Sequence, residues 1–162
     1  MSPRTFWRLA VVPALLAACT SAGAAPTPLP SSAAVILSSE RAGARPVALT
    51  LKLTYEMQCG YPGPGPVLID FPKQERVPGV LASSRVLVDG HRARAVGVSG
   101  HTVSVGLAPP PQIMCDVIGP GRLTILFTRL AGFGNPVRAG RYTITATRGT
   151  SAFSARFTIR PA

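Results

Sequence analysis

The sequence predicts an all-β fold, an antiparallel β-sandwich of seven to nine short strands. Three observations lead there. The last third of the chain carries three alternating runs in a row, separated by Gly, Asn and Pro. Val47 to Met57 alternates apolar and polar residues without a break. Short alternating runs with turn residues between them recur along most of the remaining sequence, which is the habit of sandwiches and barrels. No helix is needed anywhere in the mature domain.

Ala33 to Leu37 is a short apolar run and a first edge strand, and Arg41 to Pro46 breaks it. Val47, Leu49, Leu51, Leu53, Tyr55 and Met57 then share one face, with Ala48, Thr50, Lys52, Thr54 and Glu56 on the other. Period two with one apolar face marks a strand with a core side and a wet side. Tyr61 to Pro66 alternates Pro and Gly and reads as an exposed loop. Val67 to Phe71 is the next strand, and Lys73 to Pro78 a polar connection that contains Glu75. Arg85 to Val88 is a strand ending at Asp89-Gly90, a strong hairpin signal, with Ala93 to Val98 as its partner. Thr102 to Leu107 points Val103, Val105 and Leu107 inward. A proline run and a second long loop, Gln112 to Pro120, follow.

The closing stretch has Leu123, Ile125 and Phe127 on one face, then Tyr142 and Ile144, then Phe153, Phe157 and Ile159. Gly149, in the short connection Arg148-Gly149-Thr150, supplies a positive φ. Tyr142 opens its strand after Ala139-Gly140-Arg141, the place where immunoglobulin-like sandwiches put a tyrosine whose hydroxyl returns to the backbone. An ordinary strand-edge tyrosine is the competing reading.

Residues 84–159 carry a further pattern. Val86 to Gly90, Val96 to Val103 and Gly132 to Thr143 appear in the order V-x-V-D-G, V-x-V-x-G-x-T-V, a proline-rich loop, and G-x-x-N-P-x-x-A-G-x-Y-T. This resembles an immunoglobulin-like module of bacterial cell-surface proteins. The resemblance covers about half the chain. It implies an Ig-like sandwich serving as a structural or adhesive surface unit, and it brings no catalytic residues. The chain departs from it in having one copy, a leader with a cysteine, and two cysteines in the folded part.

The N-terminal residues predict export. Arg4 and Arg8 form a basic start and Leu9 to Ala18 an apolar run too short to span a bilayer permanently. Leu16-Ala17-Ala18-Cys19 resembles the bacterial lipobox, in which the cysteine is lipidated and becomes the mature N-terminus. The division is therefore a signal peptide at 1–18, a flexible tether at 19–32 and a sandwich domain at 33–162. The tether is rich in Ala, Pro, Ser and Thr. The location expected is the outer side of the cytoplasmic membrane, held by lipid. The alternative is free secretion after cleavage at Ala24.

Charged residues are only 14% of the chain, low for a cytosolic protein. With Arg4 and Arg8 in the leader, 15 basic and six acidic residues remain, a net of +9. They read as spread through strands and turns rather than clustered. No aromatic-basic motif accompanies them, so nucleic acid is not an expected partner. The expected partners are the membrane, through the anchor, and an envelope protein or glycan.

Cys59 and Cys115 are the only thiols of the predicted domain. An exported chain with two cysteines pairs them as a rule, so a disulfide is expected. It would tie the loop of Tyr61 to the loop of Ile113, Met114, Val117 and Ile118. Those five residues are the candidate binding loops, or alternatively they cap the core. The competing chemistry is a copper site using Met57, Met114, the cysteines, His91 and His101. Both histidines sit at predicted turns remote from either cysteine, so no metal and no cofactor is expected. There is no G-x-S-x-G, S-x-x-K or H-E-x-x-H motif and no pair of carboxylates facing one cleft, so the chain is not expected to be an enzyme. A non-catalytic envelope module is the expected function, and a small-ligand or metal-binding lipoprotein the alternative.

Overall fold

The computed structural model describes residues 32–58, 65–108 and 118–162. They form an antiparallel β-sandwich of two five-stranded sheets. The strands are β1 (Ser32–Leu37), β2 (Leu49–Gln58), β3 (Val67–Asp70), β4 (Val86–Val88), β5 (His91–Arg92), β6 (Ala95–Ser99), β7 (Thr102–Gly106), β8 (Ile118–Phe127), β9 (Gly140–Arg148) and β10 (Ser151–Ile159). Ten strands exceed the seven to nine expected, because the stretch from Arg85 to Val98 is cut into three pieces. There is no α-helix among the described residues, only two three-residue 3-10 turns, Ser83–Arg85 and Arg129–Ala131.

The first sheet runs β1-β2-β8-β4-β5 and the second β10-β9-β3-β7-β6. The neighbours β1-β2-β8-β4 match strands A-B-E-D of an immunoglobulin domain, and β10-β9-β3 match G-F-C. In chain order β4 precedes β7, so the chain visits the first sheet before it lays a strand beside β3.

The alternating faces are where the sequence puts them. Leu49, Leu51, Leu53, Tyr55 and Met57 are buried from β2, and Leu123, Ile125 and Phe127 from β8. The second sheet answers with Val67, Ile69, Val103, Val105, Ile144, Phe153, Phe157 and Ile159. Phe71, Phe127 and Phe133 stack against one another at 4.9–5.8 Å between ring centres, closing one end of the core. Gly121 is required beside Met57, since a Cβ there would lie 2.0 Å from the Met57 sulfur.

Three local readings need correction. Asp89-Gly90 does make a hairpin, with φ of 49° and 82° as a type I′ turn requires. Its partner is only His91–Arg92, however, and Ala95–Ser99 crosses to the opposite sheet. Alternation reports a strand's faces but not its sheet. Arg148 is the buried last residue of β9 rather than part of the turn, and it donates to the Tyr55 hydroxyl at 2.7 Å. Finally, Ile118, Gly119 and Pro120 lie in β8, paired with Gln58, Met57 and Glu56, and not in the long loop. Pro120 is tolerated because β4 pairs with β8 only from Ile125 to Phe127, which leaves one side of Pro120 without a ladder.

Candidate functional site

The antiparallel pairing sends three loops to one end of the sandwich, 38–48 between β1 and β2, 71–85 between β3 and β4, and 128–139 between β8 and β9, together with the short β6–β7 turn at Gly100 and His101. Backbone hydrogen bonds weld them together. Arg76 and Gly134 exchange two, Gly43 donates to the Pro136 carbonyl, and the Asn135 amide donates to that of Ala44, all at 2.9–3.1 Å. The Asn135 side chain adds two bonds of 2.8 Å from Nδ2, to the carbonyls of Ser39 and Arg41. Arg85 donates from its guanidinium to the Leu130 carbonyl at 3.0 Å, which ties the two 3-10 turns.

The N-P-x-x-A-G-x-Y segment therefore has a structural explanation. Asn135 and Pro136 are buried and hold the neighbouring loop. Tyr142 donates its hydroxyl to the Arg138 carbonyl at 2.9 Å, the tyrosine-corner arrangement. Ile144 lies in the core where antibody domains place a cysteine.

The same weld gathers charge. Arg41 and Arg45 stand on the first loop, Lys73, Arg76 and Arg85 on the second, and Arg129 and Arg138 on the third. Arg141 and Arg160 sit at the adjoining strand ends. Nine of the chain's 17 basic residues thus occupy one end. This corrects the reading of scattered cations, since a strand pattern does not say which connections share an end. Glu40 is ion-paired with Arg160 at 2.9 Å. Asp70, at the end of β3, accepts a hydrogen bond from the Thr102 hydroxyl.

Glu75 is the residue sequence reasoning misplaced. It reads as part of a polar surface connection, yet it is only 2% exposed. Neither carboxyl oxygen has a hydrogen-bond partner among the described residues. Burial alone pushes its pKa up to about 8, so it is protonated at neutral pH. It adds no negative charge to the basic end.

Three large aliphatic side chains stand exposed on these loops: Val80 at 90%, Leu130 at 74% and Val137 at 81%. A cleft of about 250 Å³ lies between the loops, lined by Arg45, Gln74, Arg76, Asn135 and Val137 among others. Arg45 and Arg76 make no ion pair with a described residue.

Several expected site residues, Cys19, Cys59, Tyr61, Ile113, Met114, Cys115 and Val117, lie outside the described residues. Gln58 pairs with Ile118, so the chain enters the segment of Cys59 and leaves the segment of Cys115 on adjacent strands. His91 lies on the edge of the first sheet and His101 in the β6–β7 turn of the second. Met57 is core. Among the described residues, no three His, Cys, Asp or Glu side chains are grouped to hold a metal. No helix there is long and apolar enough to cross a membrane.

No family model matches the chain. No curated protein matches it. Among solved structures it is similar to BslA, a bacterial hydrophobin, with a TM-score of 0.50 and 19% identity over 82% of this chain and 100% of that one. That likeness is one of fold.

Proposed function

We propose that this is an exported, lipid-anchored protein of the bacterial cell envelope. Its Ig-like sandwich is a non-catalytic binding module that works through the loop end. The observation that carries the reading is the weld itself. Three loops are locked together by backbone and Asn135 hydrogen bonds while presenting cations and exposed aliphatic tips. Such tips and charges contribute nothing to the core, and loops held on a rigid sandwich are where these folds bind. The anchor is read from Leu16-Ala17-Ala18-Cys19.

Two measurements test this. The intact mass of protein from a bacterial host should show a diacylated chain beginning at Cys19, whereas a start near Ala25 makes it a freely secreted module. The unlipidated chain should bind isolated envelopes, and Arg45→Gln with Arg76→Gln should weaken that binding. Arg94→Gln with Arg122→Gln, nearer the opposite end, should not. Equal behaviour of the two pairs would sink the loop-end reading.

A further inference from the structure

We propose that the loop end docks on the surface of an anionic phospholipid bilayer. Val80, Leu130 and Val137 enter the headgroup region, and the cleft between Arg45 and Arg76 takes a lipid phosphate. This rests on the loop end being the working surface, and it names what that surface meets.

Single exposed aliphatic residues are ordinary on a soluble protein. Three on hydrogen-bonded loops that also carry Arg41, Arg45, Lys73, Arg76, Arg85, Arg129 and Arg138 form the interfacial pattern of apolar tips among Lys and Arg. The two kinds of residue select the partner together. An anionic polymer would use the cations and leave the aliphatic tips in water. An apolar protein groove would use the tips and strand the arginines. A bilayer with anionic headgroups accommodates both, each cation near its surface contributing about 1 kcal/mol. Glu40 cancels Arg160 and Asp70 adds one carboxylate, while Glu75 is protonated, so the nine cations keep a net of seven positive charges.

The cleft adds a place for a headgroup. Arg45, Arg76 and Gln74 supply donors around it, and guanidinium suits the fork geometry of phosphate. Val137 stands on the same rim. Because the loops are already fixed, docking loses little conformational entropy. The anchor is compatible. Twelve residues lie between Cys19 and Ser32, thirteen steps of the chain, about 45 Å at full extension. β1 carries the chain from Ser32 to the loop end over only about 20 Å. The lipid at Cys19 and the loop end can therefore rest on one membrane.

The test uses the unlipidated chain from Thr20 to Ala162, which keeps both sheets and the whole described core. It is sedimented with vesicles of phosphatidylcholine, with and without phosphatidylglycerol. Binding is expected only to the anionic vesicles, weakening as salt rises. Arg45→Gln with Arg76→Gln should lower the partition coefficient roughly 30-fold, about fivefold per arginine. Val80→Ser, Leu130→Ser and Val137→Ser together should lower it at least about tenfold. Melting temperatures report that each variant folds.

Insertion has its own readout. Trp7, in the leader, is the chain's only tryptophan, so Val137→Trp gives the shortened chain a single tryptophan, excited apart from the tyrosines at the red edge of absorption. Its emission should shift to the blue on anionic vesicles. The control Leu68→Trp, on the outer face of β3, should not shift. No binding to anionic vesicles, or no shift at position 137, overturns the bilayer proposal and leaves the envelope-binding test standing. Binding lost in the arginine pair but unchanged in the serine triple also overturns it, in favour of an anionic polymer. Vesicle binding indifferent to both sets overturns the loop-end reading with it.

Discussion

Arg76 and Gly134 face each other across two loops and exchange backbone hydrogen bonds, 2.9 Å from the Arg76 amide and 3.1 Å in return. This one-residue ladder is where the β3–β4 and β8–β9 connections meet. A Cβ at Gly134 would lie 3.2 Å from the Arg45 Cβ and 3.5 Å from that of Arg76. Gly134→Val adds two methyl groups beyond that point. It should destabilise the fold by about 1–3 kcal/mol, the usual cost of overpacking. Urea unfolding gives the number. A variant as stable as the parent would mean the loops part easily, and the platform would not be rigid.

Tyr142 closes the next corner. Its hydroxyl donates to the Arg138 carbonyl, while its ring lies 5.8 Å from that of Phe157. Tyr142→Phe removes the first contact and keeps the second. A loss of about 0.5–1.5 kcal/mol is expected, the net worth of one hydrogen bond. If the thermal midpoint does not fall, the corner is held by packing alone.

These two residues show what the sequence could and could not reveal. Tyr142 was legible because its role depends on neighbours four positions away and on the strand it opens. The inward faces of β2, β7, β8 and β10 were legible because period two is local. The β5–β6 crossover was not, since Ala95–Ser99 alternates equally well in either sheet. The gathering of Arg41, Arg76 and Arg138 at one end follows from strand direction and sheet order, which no single run contains. Glu75 was the hardest case. In the run Pro72-Lys73-Gln74-Glu75-Arg76 nothing local separates the buried member from its exposed neighbours.

Glu75 makes stability depend on pH with a definite sign. Its carboxyl has an ordinary value of 4.5 in the unfolded chain, and burial lifts it to about 8 in the folded one. Between those values the folded protein holds a proton that the unfolded chain has released. Stability therefore falls as pH rises through this window, by up to about 1.4 kcal/mol per pH unit, and levels off above it. Glu75→Gln keeps the shape without the titration. The difference between variant and parent should widen from pH 5 to pH 8 in favour of glutamine. Chemical denaturation across that range measures it. Parallel curves would mean that Glu75 is charged and matched within the fold.

The opposite end of the sandwich holds the cysteine question. Gln58 and Ile118 are paired on β2 and β8, Cys59 follows the first directly and Cys115 precedes the second by three residues. The two thiols thus flank a pair of neighbouring strand ends, and if the chain is exported as proposed, a disulfide between them is expected. A bond across 56 residues restricts the unfolded chain by about 4 kcal/mol in the loop-entropy model. Reduction should lower unfolding stability by up to that amount, and Cys59→Ser with Cys115→Ser should match the reduced parent. Alkylation of the unfolded, unreduced protein should label neither residue. If both label, there is no staple, and a metal site using these thiols with Met114 becomes the chemistry to test by copper titration.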